Sequence, residues 1–232
     1  MIHIYIITIF PELFNEFIKT SIVGIAREKK IVSINIINLR DFTDDKHKNV
    51  DSPPYGGGPG MILKAIPLMK AVNSIRSYHS ESKERIKVVL TSPKGQILNQ
   101  KKSTEFSKEK ILVIVCGHYA GVDQRFIDKE CDEEISIGDY ILTGGEIPAM
   151  VISDSLIRLL PGTLGNPDSN LYDSFSEYNS GMLEPPLYTR PEIIGDSKVP
   201  DVLLSGNHSE IEKWRLSKSL DITKSNRPDL KI

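Results

Sequence analysis

Residues 134–150, EISIGDYILTGGEIPAM, carry the spacing that points most directly to a ligand. The alternating segment Glu134-Ile135-Ser136-Ile137 breaks at Gly138-Asp139; the apolar run Tyr140-Ile141-Leu142 follows and breaks again at Gly144-Gly145. Pro148 then stands near the start of an apolar helix, where its missing N–H does no harm. Glycine loses more backbone entropy on folding than any other residue, so paired breaks this close are costly as mere scaffolding. They make sense where backbone must approach a ligand. Two further loops close apolar runs in the same way: Thr91-Ser92-Pro93-Lys94-Gly95 after Leu90, and Gly117-His118-Tyr119-Ala120-Gly121 after Cys116. In an open α/β sheet such loops gather at the carboxyl edge of the strands, the usual ligand crevice. No G-x-G-x-x-G follows any of these runs, which counts against a dinucleotide.

The elements that must position these loops follow from hydrophobic patterning. Residues 2–9 are rich in β-branched side chains and fit a buried strand. Pro11 opens a predicted helix, with Leu13, Phe14, Phe17 and Ile18 at amphipathic spacing, and residues 31–39 form the next strand. That order predicts a parallel βαβ unit. Helices are expected over 63–75, 98–106 and 124–130, and strands over 86–90 and 111–116. The run Ile111-Leu112-Val113-Ile114-Val115-Cys116 is apolar on both faces, as a central parallel strand should be. A helix over 146–160, with Ile147, Val151, Leu156 and Leu159, closes an expected domain of residues 1–160.

Between these elements lie less regular stretches. Residues 40–61 hold three prolines and four glycines, and read either as a flexible surface loop or as a ligand loop. Gly56-Gly57-Gly58 beside Tyr55 could lie against a base, but the Gly-Lys-Ser/Thr ending of a phosphate-binding loop is missing. Residues 161–178 are rich in Gly, Pro, Ser and Asn, and read as an interdomain linker or mobile lid; residues 179–232 form a small helical domain. Ser209 and Glu212 have capping-box spacing ahead of a helix bearing Ile211, Trp214, Leu216 and Leu220. From Lys213 onward six basic residues face two acidic ones, either a small nucleic-acid surface or a solvated helix face.

Bulk properties narrow the class. A chain of 232 residues suffices for one large domain, or a medium one plus a small one. At 39% hydrophobic and 26% charged it fits an ordinary soluble globular protein. The net charge of -2 argues against a broad cationic surface, so any nucleic-acid contact is local. Two cysteines, Cys116 and Cys131, are too few for a disulfide framework and suit a reducing cytoplasm. The apolar N-terminus reads as a core strand, not a leader, and no run reaches bilayer length, so no membrane partner is expected.

Seven segments, taken together and in order, resemble one family. They are TIFPELF (8–14), PYGGGPGM (54–61), TSPKG (91–95), CGHYAGVD (116–123), SIGDYILTGGEIPAM (136–150), YTRPE (188–192) and LLSGNHSEIEKWRL (203–216). They are similar to the bacterial tRNA (guanine-N1)-methyltransferases, the TrmD family of the SPOUT superfamily. The resemblance implies an α/β, SPOUT-type parallel sheet with a C-terminal trefoil knot, plus a small helical C-terminal domain. It implies a homodimer with the cofactor site at the subunit interface, S-adenosylmethionine as methyl donor, and tRNA as substrate. The base acted on would be a guanine just 3′ of the anticodon, preceded by another guanine.

By similarity, Leu90, Thr91, Ser92 and Pro93 hold the cofactor, with Gly117, Tyr119 and Gly121 of the second loop. The third loop adds Ile137, Gly138, Asp139, Tyr140, Ile141, Leu142, Gly144, Gly145 and Pro148. Asp173 in YDSF matches the family's general base, and Arg158 in LIRLLPG the arginine that stabilises charge on guanine O6. RNA contacts are implied for His208, Lys213 and Arg215, and for Tyr55, Gly57 and Gly58. Ala120 stands where the family has a glutamate linked to magnesium; alanine cannot ligate, so magnesium would need another carboxylate such as Asp173. The alternatives are a SPOUT enzyme acting on a ribose 2′-hydroxyl, and a tRNA-binding homologue without catalysis.

Overall fold

The computed structural model of the chain describes residues 1–230. It divides into two compact units, Met1–Gly165 and a second that begins at Asn166. The first unit runs β1 (Ile2–Thr8), α1 (Ser21–Glu28), β2 (Val32–Asn38), β3 (Asp51–Ser52), β4 (Ile62–Leu63) and α2 (Ala65–Tyr78). It continues through β5 (Ile86–Ile97), α3 (Gln100–Phe106), β6 (Ile111–Cys116), α4 (Gln124–Glu130), β7 (Glu133–Ser136) and α5 (Glu146–Ile157).

Five of these strands form one parallel sheet in the order β2-β1-β6-β5-β7. The register sets Ile4 beside Leu112 and Val113 beside Val88. Every residue of β6 is buried, because helices cover both of its faces. On one side Ile4, Ile6, Leu112 and Ile114 pack with Val23 of α1, Phe106 of α3, and Ala149, Ile152 and Leu156 of α5. On the other, Tyr5, Ile7, Val113 and Val115 pack with Leu68 and Val72 of α2 and Phe126 of α4. The alternation of side chains along each strand thus feeds two separate apolar layers.

The helix expected after Pro11 is not continuous. Pro11–Phe14 is a single 3-10 turn, and α1 starts only at Ser21, after the extended residue Thr20. The tight connection brings the backbone of Lys19 against Gly24, where a Cβ would collide with the Lys19 carbonyl. Phe14 still reaches the core, with Phe17 and Ile18 packed beside it. The break therefore preserves the apolar spacing that suggested one helix.

The turn expected at 91–95 is an excursion within a longer strand. Thr91 and Gln96 both pair with Ile135, so residues 92–95 bulge out between them. Gly95 lies on the Glu134–Ile135 backbone and leaves no room for a Cβ. Such bulges re-aim a strand locally.

The second unit contains the hairpin β8 (Ile193–Ile194) and β9 (Ser197–Lys198), then α6 (Asp201–Leu204) and α7 (His208–Asn226). The cap of α7 is Asn207, whose side chain accepts from the Glu210 N–H at 3.3 Å; Ser209, expected to cap, lies inside the helix. Asn is among the strongest capping residues, and it already stands one position before the helix. No helix among the described residues is long and apolar enough to cross a membrane.

Glu133, at the head of β7, joins this strand to its neighbours by ion pairs with Lys87 at 2.7 Å and Lys102 at 3.1 Å. Burial pushes its carboxyl upward, but the hydrogen bonds from the two ammonium groups outweigh burial and hold it below its ordinary range. A carboxyl lowered in the folded state stabilises above its unfolded value, and that contribution is lost as pH falls through the folded value. Glu133→Gln is expected to lower the melting temperature at pH 7 by a few degrees. The gap from the parent protein should close below about pH 4; thermal melts across pH 3–8 giving a constant gap would contradict the assignment.

Candidate functional site

The excursion within β5 and the carboxyl ends of β6 and β7 open into a cavity of about 340 Å³. That volume lies within the range of small-molecule sites. Its floor is backbone. The Gly145 N–H donates to the Gly117 carbonyl at 2.7 Å, and the Gly117 N–H donates to Thr91 Oγ1 at 3.1 Å. Thr91 Oγ1 in turn donates to the Val115 carbonyl at 3.1 Å. A Cβ on Gly145 would strike Thr91 Oγ1 and come within 2.6 Å of the Gly117 nitrogen. A Cβ on Gly117 would stand 2.7 Å from the Thr91 carbonyl. The three loops can meet only because these positions lack side chains.

The rim is conformationally unusual. Tyr119 has φ +60, uncommon for a bulky residue, and it sits beside His118 with ring centroids 4.7 Å apart. Strain of this kind concentrates at ligand sites and switch regions. Gly138, at φ +149, gives way to the Tyr140 ring, whose hydroxyl donates to the Ile137 carbonyl at 3.1 Å. Tyr119, Tyr140, Ile141 and Leu142 all keep exposed apolar surface at the mouth.

The structure brings most of the expected cofactor residues to this one cavity. Leu90, Thr91, Ser92 and Pro93 line it, as do Gly117, Tyr119 and Gly121. So do Ile137, Gly138, Tyr140, Ile141, Leu142, Gly144, Gly145 and Pro148. Asp139 is exposed and is not among the lining residues. Ile62, Lys94, His118 and Thr143 line it without having been singled out for a ligand role. Ile62 arrives through the antiparallel pair β3–β4, which closes the base of the glycine-rich loop. That base is tied to the site: Ala120 N–H donates to the Met61 carbonyl at 2.9 Å, and Leu63 N–H to Gly121 at 3.0 Å.

Glu146 was missed entirely. It is buried in the first turn of α5, and Thr8 Oγ1 donates to its Oε1 at 2.8 Å. Its Oε2 stands 3.8 Å from His118 Nδ1, which is buried and has no hydrogen-bond partner among the described residues. Beside it, burial first, and then the Glu146 charge, push the Cys116 thiol far above its ordinary value. The only signal in the sequence was an acidic residue in a helix's first turn, which usually means no more than a favourable dipole contact.

The two residues expected to act on the base fall each in its own unit. Arg158 is the C-terminal cap of α5, its N–H donating to Asp154. Asp173 belongs to the second unit, in a turn where its carbonyl accepts from Ser176 N–H at 3.2 Å and Asn179 Nδ2 at 3.0 Å. Tyr55 is 99% exposed on the glycine-rich loop, with Gly57 and Gly58 beside it at positive φ in open space. His208 opens α7. Lys213 and Arg215 are exposed but paired to Glu210 at 2.9 Å and Glu212 at 2.7 Å. Arg227 is likewise paired to Asp229, so much of the expected basic surplus is locally neutralised; Lys231 lies outside the described residues. No cluster of three or more potential metal ligands occurs among the described residues.

A parallel α/β sheet whose strand ends close a glycine-floored cavity defines a small-molecule-binding α/β protein. The family model for tRNA (Guanine-1)-methyltransferase TrmD matches residues 2–232. A tRNA (guanine-N(1)-)-methyltransferase of Ruminiclostridium cellulolyticum is 49% identical over 97% of this chain and 94% of its own length. One from Dictyoglomus turgidum is 50% identical over 99% and 90%, and one from Brevibacillus brevis 51% over 97% and 89%. The chain belongs to this family of tRNA methyltransferases.

The cavity floor makes a direct prediction. Gly145→Ala must push β5 and β6 loops apart, with an expected loss of about 1–3 kcal/mol and a lowered melting temperature. Gly165→Ala, where a Cβ meets nothing within 4 Å among the described residues, is the control and should stay within about 0.5 kcal/mol. Equal melting of both variants in calorimetry would mean that the floor is not tightly closed.

Proposed function

We propose that this chain transfers a methyl group from S-adenosylmethionine to N1 of a tRNA guanine just 3′ of the anticodon, preceded by another guanine. The observation that carries the reading is the backbone-floored cavity at the excursion within β5 and the ends of β6 and β7, in a chain matched to the family from residue 2 to 232. The donor set suits an adenosyl group. Backbone carbonyls of the floor keep a second lone pair that can accept from an adenine amino group, and Leu90, Tyr119 and Leu142 offer apolar walls. When bound, that cofactor supplies an electrophilic methyl group on a cationic sulfur.

Guanine N1 carries a proton at neutral pH, so its lone pair is not free to attack. Asp173 accepts that proton as general base. As it leaves, negative charge builds on O6, where the Arg158 guanidinium stabilises it. The N1–carbon bond forms as the methyl–sulfur bond breaks, and the proton remains on Asp173. Residues 161–178 act as a lid that orders over the base when RNA docks. Residues 179–232, through His208, Lys213 and Arg215, hold the tRNA, with Tyr55, Gly57 and Gly58 contributing from the glycine-rich loop. Ala120 gives magnesium no ligand at that position.

The active form we propose is a homodimer in the cytoplasm. Ile147 and Val151 stay 56% and 40% exposed on α5, a helix whose other face is already in the core, and this apolar surface supports self-association. The reading includes the trefoil knot that the family resemblance implies.

Labelled methyl transfer to two tRNA transcripts tests the reading, one with the guanine pair and one with the second guanine replaced. Only the first should be methylated. Asp173→Asn should lower kcat by about 10²–10⁴, with S-adenosylmethionine affinity unchanged. Methylation of a ribose hydroxyl, unaffected by Asp173→Asn, would identify a different RNA methyltransferase. Binding of tRNA and cofactor without transfer would identify a homologue that has lost catalysis.

A further inference from the structure

The second unit contains a clasp around Asp173 to which the proposed methyl transfer gives no role. We infer that Asn179 is the positioning residue of the general base, an inference that rests on the assignment of that base to Asp173 above. The Asn179 side-chain nitrogen donates to the Tyr172 carbonyl at 2.8 Å and to the Asp173 carbonyl at 3.0 Å. An amide nitrogen carries two hydrogens, one for each acceptor. The Tyr172 carbonyl belongs to the peptide plane before the Asp173 Cα, and the Asp173 carbonyl to the plane after it. Peptide planes are rigid, so the two soft dihedrals of a residue both lie between its flanking planes. One side chain therefore fixes φ and ψ of Asp173 together, and with them the direction in which Cβ leaves the backbone. What the clasp does not set is limited to the two side-chain torsions.

The rest of the turn holds Asn179 in place. Its own N–H donates to Ser176 Oγ at 3.2 Å, and Ser176 Oγ donates to the Leu171 carbonyl at 2.7 Å. Phe175 N–H donates to the Met182 carbonyl at 2.8 Å, and Met182 N–H donates back to the Asn179 carbonyl at 2.9 Å. Phe175, two residues after Asp173, sits at φ +67. A bulky side chain keeps that conformation only where its surroundings over-determine it, and such strain clusters at active sites. The turn is tied to α7 as well. Leu183 N–H donates to Oγ1 of the buried Thr223 at 2.9 Å, and the Arg227 guanidinium lies 5.6 Å from the centre of the Phe175 ring. An ordinary surface turn is closed by a single carbonyl contact. Gripping both peptide groups around one residue makes sense when that residue must be aimed, because a base works only within hydrogen-bond reach of its proton. RNA docking then sets the place of the turn, whose shape Asn179 has already set.

The test measures kcat, KM for tRNA, KM for S-adenosylmethionine and melting temperature for the full-length protein and its variants, on the transcript with the guanine pair. Asn179→Ala is expected to lower kcat about 10²-fold, as a displacement of roughly 1 Å at a reacting group does, with both KM values unchanged. The double variant Asp173→Asn, Asn179→Ala should be no slower than Asp173→Asn alone, because a residue that acts through Asp173 then has nothing left to aim. Thr223→Val unties the turn from α7 but keeps both carbonyl contacts; it should lower the melting temperature and leave kcat near that of the parent. Asn179→Gln carries the amide one methylene further out and should recover part of the lost kcat; it takes the place of Asn179→Ala if that variant does not fold. Parental kcat in Asn179→Ala, with Asp173→Asn impaired, would overturn this inference and leave methyl transfer through Asp173 standing. A loss confined to KM for tRNA would overturn it too, as would a double variant slower than Asp173→Asn by the full factor of Asn179→Ala. An equal loss of kcat in Thr223→Val would reduce Asn179 to a part of the turn's stability and overturn it likewise. Parental kcat in Asp173→Asn would overturn the assignment of the base and this inference with it.

Discussion

The missing side chain at Gly145 is the constraint on which the site depends. Its N–H must reach the Gly117 carbonyl at 2.7 Å, and any Cβ there would occupy the space of Thr91 Oγ1. Three chain segments far apart in sequence are thereby held within van der Waals distance of one another. Thr91 then serves as the hinge of the arrangement, accepting from Gly117 and donating to Val115. The cavity is a consequence of this closure. Because its floor is main chain, its hydrogen-bonding groups are fixed by the sheet and pay no side-chain entropy on meeting a ligand.

Glu146 shows how the closure extends below the floor. A buried carboxylate is tolerated only when its oxygens are partnered, and Thr8 supplies a short hydrogen bond from the end of β1. The same carboxylate lies near the His118 ring, and Gly144 has no room for a Cβ because it would strike both. One acidic group thus links the first strand, the second loop and the start of α5. Tyr119, strained at positive φ, is the next residue along. A well-anchored base and a strained rim are what a site needs if its floor is to stay rigid while its mouth adapts.

The legible parts of the fold were those decided by local pattern. The uniformly apolar run 111–116 became the central strand because nothing but burial on both faces suits such a run. The three glycine loops could be grouped because strand order and parallel pairing force their ends to one edge. Glu146 and Thr8 could not be paired from sequence, being 138 positions apart with no motif between them. The break after Pro11 was hidden for a different reason: both short pieces keep the apolar spacing of one helix. The α7 cap went to Asn207 because local side-chain competition is decided by one residue of register.

Charge in the second unit leads to a final point about recognition. Counting residues suggests a basic tail, yet Lys213, Arg215 and Arg227 are each held by a carboxylate three residues away or fewer. Exposed pairs of this kind contribute little to stability, but they lower the field that would draw in RNA from a distance. A phosphate can still displace a surface carboxylate, so the cations remain usable at contact and at some loss of long-range steering. If the second unit holds the tRNA as proposed, its affinity must come more from surfaces that act at contact than from charge. With a net charge of only -2, the chain as a whole exerts little pull on polyanions at a distance, so for the proposed tRNA contact selectivity would have to be set at close range.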